Sequence, residues 1–152
     1  MSSIRRTEIK YLVITPTRQH LLILALAAGP LAWGAIAIMD QLPTLLSSWL
    51  LLRFILVQPI VEEIVFRGMV LGWLSKKLPD RYGPITLANL LTAIAFSAAH
   101  LVSHPPLWAL AVLVPGLVFG YFRERYNALW PAIVLHVWYN AGFFLSGALL
   151  AF

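Results

Sequence analysis

Long apolar stretches broken by short polar clusters set the rhythm of the chain. The first stretch runs from Gln19 to Met39 and stops at the polar turn Asp40-Gln41-Leu42-Pro43. About 20 apolar residues cross the hydrocarbon core of a bilayer, so this stretch predicts a first membrane span. Leu45–Leu74 is too long for one simple span, and Arg53 and Pro59 divide it. It predicts a short interfacial helix over Leu45–Leu52 and a second span over Phe54–Leu74. Lys76, Lys77, Asp80, Arg81 and Gly83-Pro84 form the next loop. A third span is expected over Ile85–Val102, followed by the tight turn Ser103-His104-Pro105-Pro106. A fourth is expected over Leu107–Phe122, kinked by Pro115. The fifth runs from Leu129 to the C-terminus, with Pro131 tolerable in a first helical turn. The pattern reads as all-α: a polytopic membrane helical bundle of about five transmembrane helices plus the short interfacial helix.

Composition sharpens this picture. The chain has 152 residues, 61% hydrophobic and 11% charged, against about 25% charged in a typical soluble domain. Cysteine is absent, which excludes disulfides, thiolate metal sites and cysteine catalysis. The net charge of +5 does not point to nucleic acid, because the basic residues sit at the ends of apolar segments, where membrane topology accounts for them. Most Lys and Arg fall in the N-terminus, the loop Lys76–Arg81 and the cluster Arg123-Glu124-Arg125. With five spans all three lie on one side, and the loops around Asp40 and His104 carry no Lys or Arg. Arg53, near the outer end of the second span, and Arg67 within it are the exceptions. The N-terminus is therefore expected in the cytoplasm and the C-terminus outside. Trp73, Tyr82, Tyr121 and Trp130 near the inner boundaries, with Trp49 and Trp108 near the outer ones, fit interfacial anchoring. Arg5, Arg6, Lys10 and Arg18 precede an apolar run longer than the about 7–15 residues of a secretory signal, so an uncleaved first helix is expected. Gly68-x-x-x-Gly72 and Gly116-x-x-x-Gly120 read as close helix packing.

Against that apolar background, Glu62-Glu63-Ile64-Val65-Phe66-Arg67 stands out. Ionisable groups at membrane depth are expensive and mark functional sites by default. Glu63 and Arg67 are four apart, share a helix face and can pair. Glu62 is rotated by about 100° and can point elsewhere, as a general base would. The competing structural reading is one buried ionic network that fixes helix packing. His100 lies four residues after Phe96, whose ring can wall a site beside the imidazole. Taken alone, such a histidine is more often a hydrogen-bonded core residue. His136 and Asn140 also share a face, and both can donate to a developing oxyanion; alone, they could equally bridge helices. Gln58 is close enough to Glu62 on the helix to support it. His20, His104, Arg53, Trp138 and Tyr139 take the plainer reading of boundary, exposed or packing residues.

The ordered set Glu62-Glu63…Arg67, Phe96…His100 and His136…Asn140 resembles the CAAX prenyl-protease and bacteriocin-processing family of intramembrane glutamic endopeptidases, often abbreviated CPBP. The resemblance covers roughly Phe54 to Gly147. It implies a metal-independent peptidase without a cofactor, acting on a protein or peptide substrate. In it Glu62 would be the general base and His100 would hold and orient the water. His136 and Asn140 would stabilise the oxyanion. Glu63 and Arg67 would support the site, with Glu63 able to share in water activation. The chain would form a single integral-membrane domain over 1–152: an N-terminal cytoplasmic segment 1–18, a first span 19–39 and a catalytic core from about 54 to 152. A bacterial inner membrane is the expected location. Small bacterial members are often associated with maturing peptides or C-terminal sorting tags, which favours such substrates over prenylated ones. Straight spans would leave Glu62 and His136 mismatched in depth by up to about 10 Å, given the helical rise.

Three rivals remain at this point. A zinc protease could use Glu and two His as ligands, but His-Glu-x-x-His is absent. A non-enzymatic immunity or scaffolding protein could share the fold. A proton or ion transporter would also place Glu, His and Arg in the membrane, but the chain lacks room for two inverted halves. Oligomeric state is not encoded legibly.

Overall fold

The computed structural model describes residues 17–38 and 47–150. The basic segment before Thr17 and the turn expected at Asp40-Gln41-Leu42-Pro43 lie outside the described residues. Helix α1 (Arg18–Ile38) occupies the first apolar stretch. A second helix, α2, runs unbroken through 48–74. A hairpin follows, with β1 (Arg81–Tyr82) antiparallel to β2 (Ile85–Thr86). Then come α3 (Leu87–His100), α4 (Pro106–Ala111), α5 (Leu113–Tyr126) and α6 (Trp130–Leu150).

Residues 48–52 are not a separate interfacial helix, as expected from the pattern, but the first turn of α2. Arg53 keeps a right-handed helical backbone, and the rod continues through it. The break expected at Pro59 is absorbed by a widened, π-helical turn over Arg53–Val57. There the Gln58 N–H donates to Arg53 O, five residues back. A second π-helical stretch covers Ile64–Val70, where the Leu71 N–H donates to Phe66 O. Single π turns inside α-helices occur often at functional sites, and these two flank Glu62 and Glu63.

The expected all-α reading misses the hairpin. Gly83-Pro84 forms its two-residue turn, and Gly83 takes a positive φ of 62°, as mirror-image hairpin turns require. Ile85 and Thr86 are thereby drawn into a strand, so α3 starts at Leu87 rather than Ile85. Thr86 caps it by accepting the Asn89 N–H at 3.0 Å. The disturbance expected at Pro115 takes the form of a break one turn earlier. Without an N–H at 115, Ala111 loses its helical donor, and the helix is interrupted at Val112 between α4 and α5. Ser97 of α3 uses the interruption, donating to Ala109 O at 2.6 Å. Asn127 ends α5 in the left-handed conformation typical of helix C-termini.

Helix α5 packs against both α3 and α6. A Cβ at Gly120 would overlap the Asn89 side chain, so that glycine permits the close crossing of α3 and α5. The other motif divides: Gly68 faces Leu129, whereas a Cβ at Gly72 would meet nothing within 4 Å. Gly72 is therefore not a packing glycine. Helix α1 is fastened along α6. Tyr139 OH donates to Ala25 O at 2.7 Å, Trp138 Nε1 to Leu26 O at 2.9 Å and Trp33 Nε1 to Tyr139 O at 3.1 Å. Trp33 also fills the notch left by Gly142.

The distribution of polarity is inside-out. Glu63, Arg67, Asn89 and Thr92 are fully buried, while Leu31, Met69, Val102, Leu107 and Val114 face outward. Such a surface suits hydrocarbon rather than water, where large apolar patches are rare on a monomer. Among the described residues, one helical stretch, Pro106–Tyr126, is both long and apolar enough to cross a membrane; Leu87–His100 is apolar but shorter.

Candidate active site

Glu63 and Arg67, one turn apart on α2, form a fully buried ion pair with Oε1 and Nη1 2.9 Å apart. The second guanidinium nitrogen donates to Gly116 O on α5 at 2.9 Å. A side chain at 116 would begin to crowd Arg67 and Phe96, so glycine keeps that carbonyl approachable. The guanidinium lies over the Phe96 ring, 4.3 Å from its centroid, and 5.4 Å from that of Phe119. Carboxylate, carbonyl and two aromatic rings together make the buried charge tolerable, since breaking such a pair leaves an uncompensated ion.

His136 of α6 meets both glutamates. Its Nδ1 lies 2.8 Å from Glu63 Oε1, and its Nε2 lies 3.6 Å from Glu62 Oε2. The ring stacks on Phe119 at 4.9 Å and meets Phe96 at a steep angle at 5.8 Å. A carboxylate can only accept, so Nδ1 is the protonated nitrogen and Nε2 is turned towards Glu62. Glu62 is held by Gln58, whose Nε2 donates to Oε1 at 2.8 Å. Gln58 thus occupies the supporting position expected of it. Glu62 accordingly has a neutral partner and one oxygen directed at His136, whereas Glu63 is bound by a cation. Glu63 Oε2 is buried with no partner among the described residues.

The depth mismatch anticipated for straight spans is absent. Helix α2 begins at 48 rather than 54, which moves Glu62 from the outer part of a span to the middle of a longer rod opposite His136.

His100 and Asn140 are each held by a backbone carbonyl. His100 Nδ1 lies 2.9 Å from Phe96 O, so it donates and leaves Nε2 as an acceptor. His100 joins the group through the Phe96 ring, at 4.7 Å, rather than by a hydrogen bond to a glutamate. Asn140 Nδ2 donates to Phe54 O at 2.9 Å. The local backbone explains this bond. The Gln58 N–H goes to Arg53 O, and Pro59 has no N–H. The Phe54 carbonyl therefore lacks both its α-helical and its π-helical donor, and the amide of Asn140 supplies the replacement. One amide hydrogen of Asn140 remains for other use.

Sequence reasoning missed Phe119 and the carbonyls of Gly116 and Phe54. Gly116, read as a packing residue, was the available signal for the second. Phe54 and Phe119 carry none, because any apolar residue in a span looks alike in the pattern. His104 is exposed, as expected. Its ring lies 5.6 Å from His100 and stacks on Trp108, and its Nδ1 is 2.9 Å from Ser103 Oγ.

Residues 44–142, more than half of the chain, match the family described as Type II CAAX prenyl endopeptidase Rce1-like. The chain belongs to that family of membrane-embedded proteases, as its three motifs foreshadow. The matched stretch begins and ends somewhat earlier than the expected Phe54 to Gly147, takes in all of α2 and omits α1. No curated protein and no solved structure matches the chain.

Proposed function

We propose that the protein is an intramembrane endopeptidase of glutamic type, in which Glu62 activates the attacking water. The carrying observation is that His136 stands between two neighbouring glutamates, its Nδ1 bonded to Glu63 and its Nε2 3.6 Å from Glu62. Glu63 is neutralised by Arg67 and fixes the ring; Glu62, held only by an amide, is left to act as a base. In this reading Glu62 takes a proton from water as the new C–O bond forms on the scissile carbonyl. That proton passes to His136 Nε2, which carries no N–H to offer the oxyanion as first expected of it, and which delivers the proton to the departing amine as the C–N bond breaks. His100 Nε2, an acceptor, orients the water. The free amide hydrogen of Asn140 is available to the oxyanion. Glu63 Oε2 allows that residue to share in holding the water. Proton transfer by a positioned group is worth about 10²–10⁴-fold in rate.

A zinc reading finds less support. Glu63 Oε1 serves Arg67 and His136 at once, and among the described residues no three potential ligands converge on a common point. The transporter reading draws nothing from this arrangement. For substrate, the proposal is a peptide or a C-terminally tagged protein rather than a prenylated one, handled in a bacterial inner membrane with the N-terminus cytoplasmic.

The test compares peptide termini across the native membrane proteome for wild type and Glu62→Gln at matched expression. Termini present only with the wild type are expected, and they identify the substrate. Identical termini, with the variant folded, would replace the peptidase reading with that of an immunity or scaffolding protein.

A further inference from the structure

The end of the bundle that carries the hairpin has a feature that peptide hydrolysis does not use. A groove of about 650 Å³ lies between the end of α2, the hairpin and the end of α5. Its lining includes Met69, Gly72 and Trp73 as well as Lys76, Arg81 and Arg123. A neighbouring hollow of about 280 Å³ shares Arg81 and Glu124 with the groove and adds Arg18 and Arg125. Five cations therefore face the two hollows, with Glu124 the one carboxylate among the lining residues. Glu124 Oε1 accepts from Thr86 at 2.6 Å. None of the ion pairs found among the described residues involves these five cations. The Nε of Arg123 is buried and has no partner there.

These lining residues are of two kinds. Gly72 leaves open space where a side chain would stand, and Met69 and Trp73 point outward at 66% and 62% exposure. On a membrane protein such an apolar flank faces acyl chains, and a Trp beside it sits at headgroup level. Cations without an ion pair beside apolar residues in one groove match a molecule with an anionic head and a hydrocarbon tail.

We propose that this groove binds an anionic phospholipid, its phosphate held by Arg81, Arg123 and Lys76 and its acyl chain lying along Gly72. Basic pockets between helix ends bind such headgroups through charge and hydrogen bonds together. A free phosphate would use the cations but draw nothing from the apolar residues. The site is separate from the Glu62–His136 group and stands whether or not that group hydrolyses peptides.

Native mass spectrometry on the full chain in neutral detergent tests it. The probes are phosphatidylglycerol and phosphatidylcholine with identical acyl chains, with inorganic phosphate as competitor. Phosphatidylglycerol should be retained at least about tenfold better, a difference that one or two charge-assisted contacts readily supply. It should resist excess inorganic phosphate. Arg81→Gln/Arg123→Gln should erase the preference. Gly72→Leu keeps every cation but fills the groove, and it should weaken retention, with thermal unfolding of the same samples confirming that both variants fold. Glu62→Gln should bind as the wild type does. Equal retention of the two lipids overturns the proposal. So does displacement by phosphate with Gly72→Leu unaffected, which would reduce the groove to a simple anion site.

Discussion

Two adjacent carboxylates on one helix are held in opposite ways, Glu63 by a buried cation and Glu62 by an amide, and substitution should separate them. Glu62→Gln keeps the amide-to-side-chain contact with Gln58 within reach and leaves no buried ion unpaired. Cleavage should fall about 10²–10⁴-fold while the thermal unfolding midpoint in detergent stays near that of the wild type. Glu63→Gln instead strands the Arg67 guanidinium in the core, and loss of one partner from a buried pair typically costs about 3–5 kcal/mol. A clear drop in the midpoint is expected, partly restored in Glu63→Gln/Arg67→Gln, where both charges are gone. Equal midpoints for the two single variants would refute this division of labour. The Glu63–Arg67 pair was legible in sequence because four-residue spacing on a helix is a local matter. The contact from Glu63 to His136 was not, because it depends on the offset between two helices 73 residues apart in the chain.

Helix α2 owes its character to two widened turns and one proline. An ordinary helix would satisfy Phe54 O from within, whereas here the donor comes from α6. Asn140→Leu should leave that carbonyl without a partner, at a cost of about 1–3 kcal/mol. In a Pro59→Ala background the new N–H at position 59 can reach Phe54 O, so the same substitution should cost less. A double-mutant cycle on unfolding in detergent measures the difference. Additivity would show that the Asn140 bond does not answer the missing donor. At this scale the sequence was a fair guide to where helices lie, because apolar stretches and proline punctuation are written in it. It misplaced the start of α2 and omitted the hairpin. A π turn carries no residue signature that an apolar pattern reveals, and Gly83-Pro84 reads as loop until Tyr82 and Ile85 are seen to pair.

For the molecule as a whole, polar residues gather inside and apolar ones outside, while cations collect at the end shared by the hairpin and the close of α5. Positive charge flanking spans favours the cytoplasmic side. The absence of cysteine makes single-cysteine labelling direct. Lys77→Cys should react with an impermeant maleimide only after the cells are opened, and Ser103→Cys should react in intact cells. The reverse pattern would invert the proposed topology. Gly120→Ala tests the packing that supports this arrangement. Its methyl group would overlap Asn89 between α3 and α5, and overpacking of this kind typically costs about 1–3 kcal/mol, readable as a lowered unfolding midpoint.

The stacking of His136 on Phe119, with ring planes only 24° apart, has a spectroscopic consequence. Protons held above an aromatic face are shielded by its ring current. The chain has four histidines, of which His20 and His104 are exposed. In a spectrum of imidazole-labelled protein, the His136 resonance should therefore stand upfield of that of His20, since His104 itself stacks on Trp108. Anything that enters between Glu62 and the ring would shift that signal, making a single native nucleus a reporter of occupancy before any substrate is known.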